Sequence, residues 1–118
     1  MRPLKNAGFI RFSQLSPPRQ ALVRLCQSLN FGQIRGLHVQ NANPSFDPAP
    51  TVLVDVKLDS DEAPRQELEL KDFELRDEVR RLMAHLDELQ DGRIDRIEVR
   101  SGISYRVIIE RHISEASR

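Results

Sequence analysis

The chain has 118 residues, of which 39% are apolar and 31% charged, and its 18 basic and 18 acidic side chains cancel. That length suits one domain with its own core. A single cysteine, Cys26, excludes an internal disulfide and any cysteine-built zinc cluster, and no apolar run approaches the length of a membrane span. Charge is unevenly placed: residues 1–46 carry six basic side chains and no acid, and every acid lies from Asp47 onward. With no secretion-signal pattern at the N-terminus, the expectation is a soluble protein of a reducing cytoplasm, without a membrane partner.

Residues 1–15 are expected to be irregular or a short strand, docked through Phe9, Ile10, Phe12 and Leu15. Ser16-Pro17-Pro18 marks a helix start, because the hydroxyl can cap and proline suits a first turn that needs no N–H. Leu22, Leu25, Cys26 and Leu29 then recur at spacings of three and four, forming one apolar face that Gly32 is expected to end. Cys26 lies inside that face and reads as packing, not as a nucleophile.

From Gln33 the period becomes that of a strand through Leu37 and Val39, with Gly36 placed for a bulge beside Ile34. Asn41 to Pro50 is predicted as a long loop pinned by Phe46. Thr51–Leu58 reads as the clearest strand, with Val52, Val54, Val56 and Leu58 on one face. A polar, acidic turn from Asp59 to Pro64 leads to a short strand over 66–71. Asp72 is the expected cap of a second helix, striped by Leu75, Val79, Leu82, Met83, Leu86 and Leu89 and ended by Gly92. Two further strands follow, joined at Ser101-Gly102, the second presenting Ile103, Tyr105, Val107 and Ile109 on one face.

The halves repeat. Gly-Gln-Ile-Arg-Gly-Leu-His-Val at Gly32–Val39 returns sixty positions later as Gly-Arg-Ile-Asp-Arg-Ile-Glu-Val at Gly92–Val99. Each copy follows an amphipathic helix and precedes a second strand. One such unit cannot bury its own apolar face, so two are expected to share a core. The predicted fold is α+β: a duplicated helix–strand–strand unit, 17–58 and 72–112 joined by 59–71. It makes a mostly antiparallel sheet of about five strands with both helices on one face.

This helix–glycine–strand–turn–strand unit, seen in Leu25–Val39 and again in Leu82–Val107, resembles small bacterial YezD-like proteins. Those are single-unit proteins of unresolved function, so the resemblance implies a fold element and self-association and carries over no site residue.

No convergent catalytic set stands out. His38, His85 and His112 lack a ligand spacing, and Asp59-x-Asp61-Glu62 lacks the glycine and closing glutamate of a calcium loop, so neither a metal nor a cofactor is expected. Gly32–Gly36 precedes a strand, whereas a phosphate loop opens a helix. Asp77-Glu78 and Asp87-Glu88 read as solvated helix charge. The leading expectation is a non-enzymatic binding or self-assembly module, as a homodimer that covers open sheet edges. The alternative is nonspecific nucleic-acid binding through Arg11, Arg19, Arg24 and Arg35, although a pI near 6.8 and few aromatics weigh against it. The last is a ligand or catalytic pocket beside the 41–50 loop, with His38, Asn41, Asn43 and Asp47 as its polar groups.

Overall fold

A computed structural model describes residues 11–59 and 70–111. Phe9, Ile10, residues 66–69 of the expected 66–71 strand, and His112 lie outside the described residues. The remainder forms helix α1 (Pro17–Leu29), strands β1 (Gly32–Gln40), β2 (Asn43–Ser45) and β3 (Thr51–Val54), helix α2 (Asp77–Leu89), and strands β4 (Gly92–Arg100) and β5 (Ile103–Ile109). The sheet is antiparallel in the order β2-β1-β4-β5, and β3 also pairs with β1. The expected α+β class, with two helices and five strands, is the one observed.

The sheet buries Ile34, Leu37 and Val39 of β1 and Ile94, Ile97 and Val99 of β4. Both helices meet that face, through Leu22, Cys26 and Leu29 of α1 and Val79, Leu82, Met83 and Leu86 of α2. In each central strand two buried positions are three apart, so the alternation breaks once. In β1 the break falls at Gly36, whose φ of +71° only glycine adopts readily. In β4 it falls at Asp95, where the pairing with β5 shifts.

Positions sixty apart take matching geometry. Asn30 and Gln90 close the two helices at φ 64° and 61°, and their N–H groups donate to Cys26 O and Leu86 O, each at 3.1 Å. The helices therefore end two residues before the glycines expected to stop them; an asparagine or glutamine bears the left-handed turn instead. The turns Asn41-Ala42 and Ser101-Gly102 are left-handed at both residues, as a two-residue hairpin requires. The Ala42 N–H donates to Gln90 O and the Gly102 N–H to Asn30 O, so each turn is tied to the end of the other half's helix. In the β1–β4 pairing Gly32 faces Val99 and Val39 faces Gly92, and exchanging the halves carries either pair onto the other.

Several expectations are corrected. The chain turns back at Asn41-Ala42 into β2, so the predicted 41–50 loop shrinks to residues 46–50, with Phe46 half-buried against the core as expected. The 51–58 strand keeps its ladder only to Val54. Leu70 and Lys71, the described end of the 66–71 strand, are in no strand. Tyr105 faces solvent because β5 shifts register between Glu98 and Val99, and its hydroxyl donates to Glu98 Oε1 at 2.9 Å.

Asp72 does not cap α2, which starts at Asp77 behind Arg76 and has no side-chain cap bond. It accepts from Arg11 Nε and from the Ser13 N–H, both at 2.8 Å, and ties the short 3-10 turn Phe12–Gln14 to the segment entering α2. The Arg11 hydrogen bond, then the Ser13 N–H, hold its carboxyl down at about 2. A depressed folded pKa gives a contribution present above the ordinary value near 4 and lost as pH falls through 2. The Ser13 amide resonance should therefore move with a midpoint near pH 2; a midpoint near 4 would show that Asp72 does not hold this turn.

Candidate functional site

The four arginines expected to form one anion-binding surface do not share one environment: Arg11 and Arg24 sit against the Phe12 and Phe73 segments, Arg19 is buried, and Arg35 is on the sheet. Arg19 is only 4% exposed: Nε and Nη2 donate to Ala42 O at 3.2 and 2.8 Å, and Nη2 meets Asp87 Oδ1 at 2.5 Å. It is a core residue, and Asp87 is its partner, not idle helix charge. Arg11 is paired with Asp72. The Arg24 guanidinium lies 4.4 Å from the centroid of Phe12, which stacks on Phe73, and it donates to Gln27 Oε1 and Leu70 O. Arg35 stands exposed on the sheet face away from the helices, opposite Arg96.

That open face carries charge of both signs. Arg96 and Arg106 approach Glu98 Oε2 at 3.9 and 4.0 Å, Arg93 meets Glu110 at 2.9 Å, and Arg100 lies over the Tyr105 ring. The glutamates answer much of the positive charge there, so the face is not a run of uniform sign.

The polar groups expected beside the 41–50 loop do not converge either. The Asn41 N–H donates to Asp91 Oδ1 at 3.1 Å. Asn43 accepts from Ser16 Oγ at 2.6 Å and donates to Asn41 O, and the Asp47 carbonyl accepts from Ser45 Oγ. These contacts hold turns in place. His38 pairs with Ser45 of β2 and lines two open clefts, one of about 580 Å³ with His85, Glu88, Asp91 and Glu110 and one of about 420 Å³ with Arg35, Ala49 and Thr51. Among the described residues no three His, Cys, Asp or Glu side chains are grouped to hold a metal ion. Among them, too, no helix is long and apolar enough to cross a membrane.

The feature that stands out is an edge. Of the exposed large apolar side chains, Val52, Leu53, Val54, Val56 and Leu58 all belong to β3 and the residues just beyond it. Exposure climbs along the run from 37% at Val52 through 62% and 64% at Val54 and Val56 to 96% at Leu58. Among the described elements β3 pairs only with β1, so its far side is an edge that no other described strand covers. Gly32 sets how close the strand can come: at φ +154° a Cβ there would stand 2.1 Å from Leu53 O.

Comparison with protein-family models, curated proteins and solved structures finds no match. Function must therefore be argued from the site itself.

Alternation in the sequence located this strand and its apolar residues. It did not show that they lie beyond the footprint of the two helices, and burial, not period, separates a core strand from a docking edge.

Proposed function

We propose that this chain is a non-enzymatic binding and self-assembly module, built from a duplicated helix–strand–strand unit, whose association surface is the β3 edge. The observation that carries this reading is the concentration of exposed apolar side chains on Val52–Leu58, at a sheet edge that no other described strand covers. Monomeric proteins seldom leave such a strip in water, since removing it from solvent is worth about 25 cal/mol per Å². A second copy presents the same strip and the same edge. An antiparallel β3-to-β3 join is self-complementary about a two-fold axis and leads to a closed homodimer. The resemblance to YezD-like proteins, with its implied self-association, agrees with this.

The test is mass in solution. Light scattering at micromolar concentration is expected to give two 13.6-kDa chains. The double variant Val54→Lys with Val56→Lys places two like charges on each side of the join and is expected to be monomeric, with unchanged circular dichroism. A monomeric parent protein would remove the proposal.

A further inference from the structure

The exposed run that begins at β3 alternates two kinds of side chain. Val52, Val54, Val56 and Leu58 share one parity, and Thr51, Leu53, Asp55 and Lys57 the other. The fold keeps the charged residues of the second set together. Asp55 lines a cleft with Phe31 and Leu53, and Lys57 Nζ lies 4.9 Å from the centroid of the Phe31 ring. Every residue from Thr51 to Asp59 is exposed, and among the described residues neither Asp55 nor Lys57 has an ion-pair partner.

One backbone bond sets which peptide groups face outward. The Asp55 N–H donates to Phe31 O at 2.9 Å, which carries the β1–β3 pairing one position past Val54. Alternation then directs the peptide groups of Asp55 toward β1 and those of Val54 and Val56 toward the free edge. In an antiparallel join across that edge the valines take the hydrogen-bonded positions. Asp55 and Lys57 take the positions between them, where facing side chains stand closest.

The centre of the two-fold axis decides what faces what. Centred on Asp55, the two carboxylates oppose each other, and like charges directly opposite destabilise a sheet. Centred on Val54, Asp55 faces the partner's Leu53, and Leu58 falls against the partner's Pro50, which has no N–H to donate. Centred on Val56, Asp55 faces the partner's Lys57, Lys57 faces the partner's Asp55, and Val54 meets the partner's Leu58. Exposure favours the same centre, because it climbs along the run to 96% at Leu58, which only this register places inside the join.

We propose that the β3 edges join in one register, with Val56 on the two-fold axis and reciprocal Asp55–Lys57 pairs that select a second copy of this chain. This register rests on the self-association proposed above and narrows it to a charge code. The pairs lie at the surface, so they set register and partner choice more than they add strength.

Sedimentation of the full-length protein at low ionic strength, where exposed charges are least screened, measures the dimer dissociation constant. Asp55→Lys makes the facing charges all basic and Lys57→Asp makes them all acidic; each should raise the constant at least about tenfold. The double variant Asp55→Lys with Lys57→Asp restores opposite charges and should recover the parent constant to within about threefold. An equimolar mixture of the two single variants should form mixed dimers, resolved by native mass spectrometry. Circular dichroism should not change in any of them, since both side chains are exposed. A monomeric parent would overturn self-association and register together. A dimeric parent whose constant either single variant leaves unchanged, or the double variant fails to recover, would overturn the register alone.

Discussion

Arg19→Val is expected to cost about 3 kcal/mol of unfolding free energy. The substitution gives position 19 the residue already present at position 79, so it would be unremarkable if the halves were energetically equivalent. They are not. Arg19 is 4% exposed and supplies the donors for the Ala42 carbonyl, and its removal leaves both that acceptor and a hole between the helices and the hairpin turn. Asp87→Asn should cost about 1 kcal/mol or less, because the Asp87 side chain is half exposed and both bonds to Ala42 remain. Urea unfolding of the two variants measures the difference. Equal losses would mean that the ion pair, not the filling of the space and the turn carbonyl, carries the effect. Charge reversal, Arg19→Glu, brings a buried carboxylate against Asp87 and should unfold the protein, whatever the protein binds.

Gly32→Ala is expected to detach β3 from β1 and to cost about 2–4 kcal/mol. The added Cβ would fall 2.1 Å from the Leu53 carbonyl oxygen, in a backbone conformation that L-residues rarely adopt, so the strand must move away. The pairing at risk is that of Gly32 with Val54 and Gln33 with Leu53, together with the Asp55 N–H bond to Phe31 O, and loss of amide protection there should be local. Gly92 occupies the same place in the second motif, yet a Cβ on it would meet only the flexible end of Leu89, at 3.0 Å. Gly92→Ala should therefore change stability by less than about 1 kcal/mol, in either direction. Similar losses for both variants would show that β3 is not seated on Gly32. A further consequence follows for assembly: Gly32→Ala, by freeing β3, should abolish dimerisation together with the strand's protection.

Local chemistry determined much of this fold. Ser16-Pro17-Pro18 and the stripes at spacings of three and four placed both helices, since a cap and an apolar face act within a few residues. The repeated glycine–strand motif located the two central strands, and their buried residues Ile34, Leu37, Val39, Ile94, Ile97 and Val99 are apolar positions legible in advance. Ser101-Gly102 marked one hairpin turn. Asn41-Ala42 takes the same conformation with an alanine at φ 64°, and was hidden because a tertiary bond from Ala42 to Gln90 O supports it where composition does not.

Tertiary structure decided which side of each element meets water. A charged residue at the margin of a helix, such as Arg19, reads as solvated until the opposing turn supplies a carbonyl and the facing helix an acid. An alternating apolar strand such as Thr51–Val54 reads as core until the helices prove to end short of it. The same limit held for the candidate site. The sequence named arginines and asparagines as types that can bind, but whether Arg24 or Asn43 is free depends on Phe12, Gln27 and Ser16, which lie in other parts of the chain or on other faces. Period and capping are short-range properties written along the chain; burial and pairing are set by residues far apart in it, and the second group decides what the surface can do.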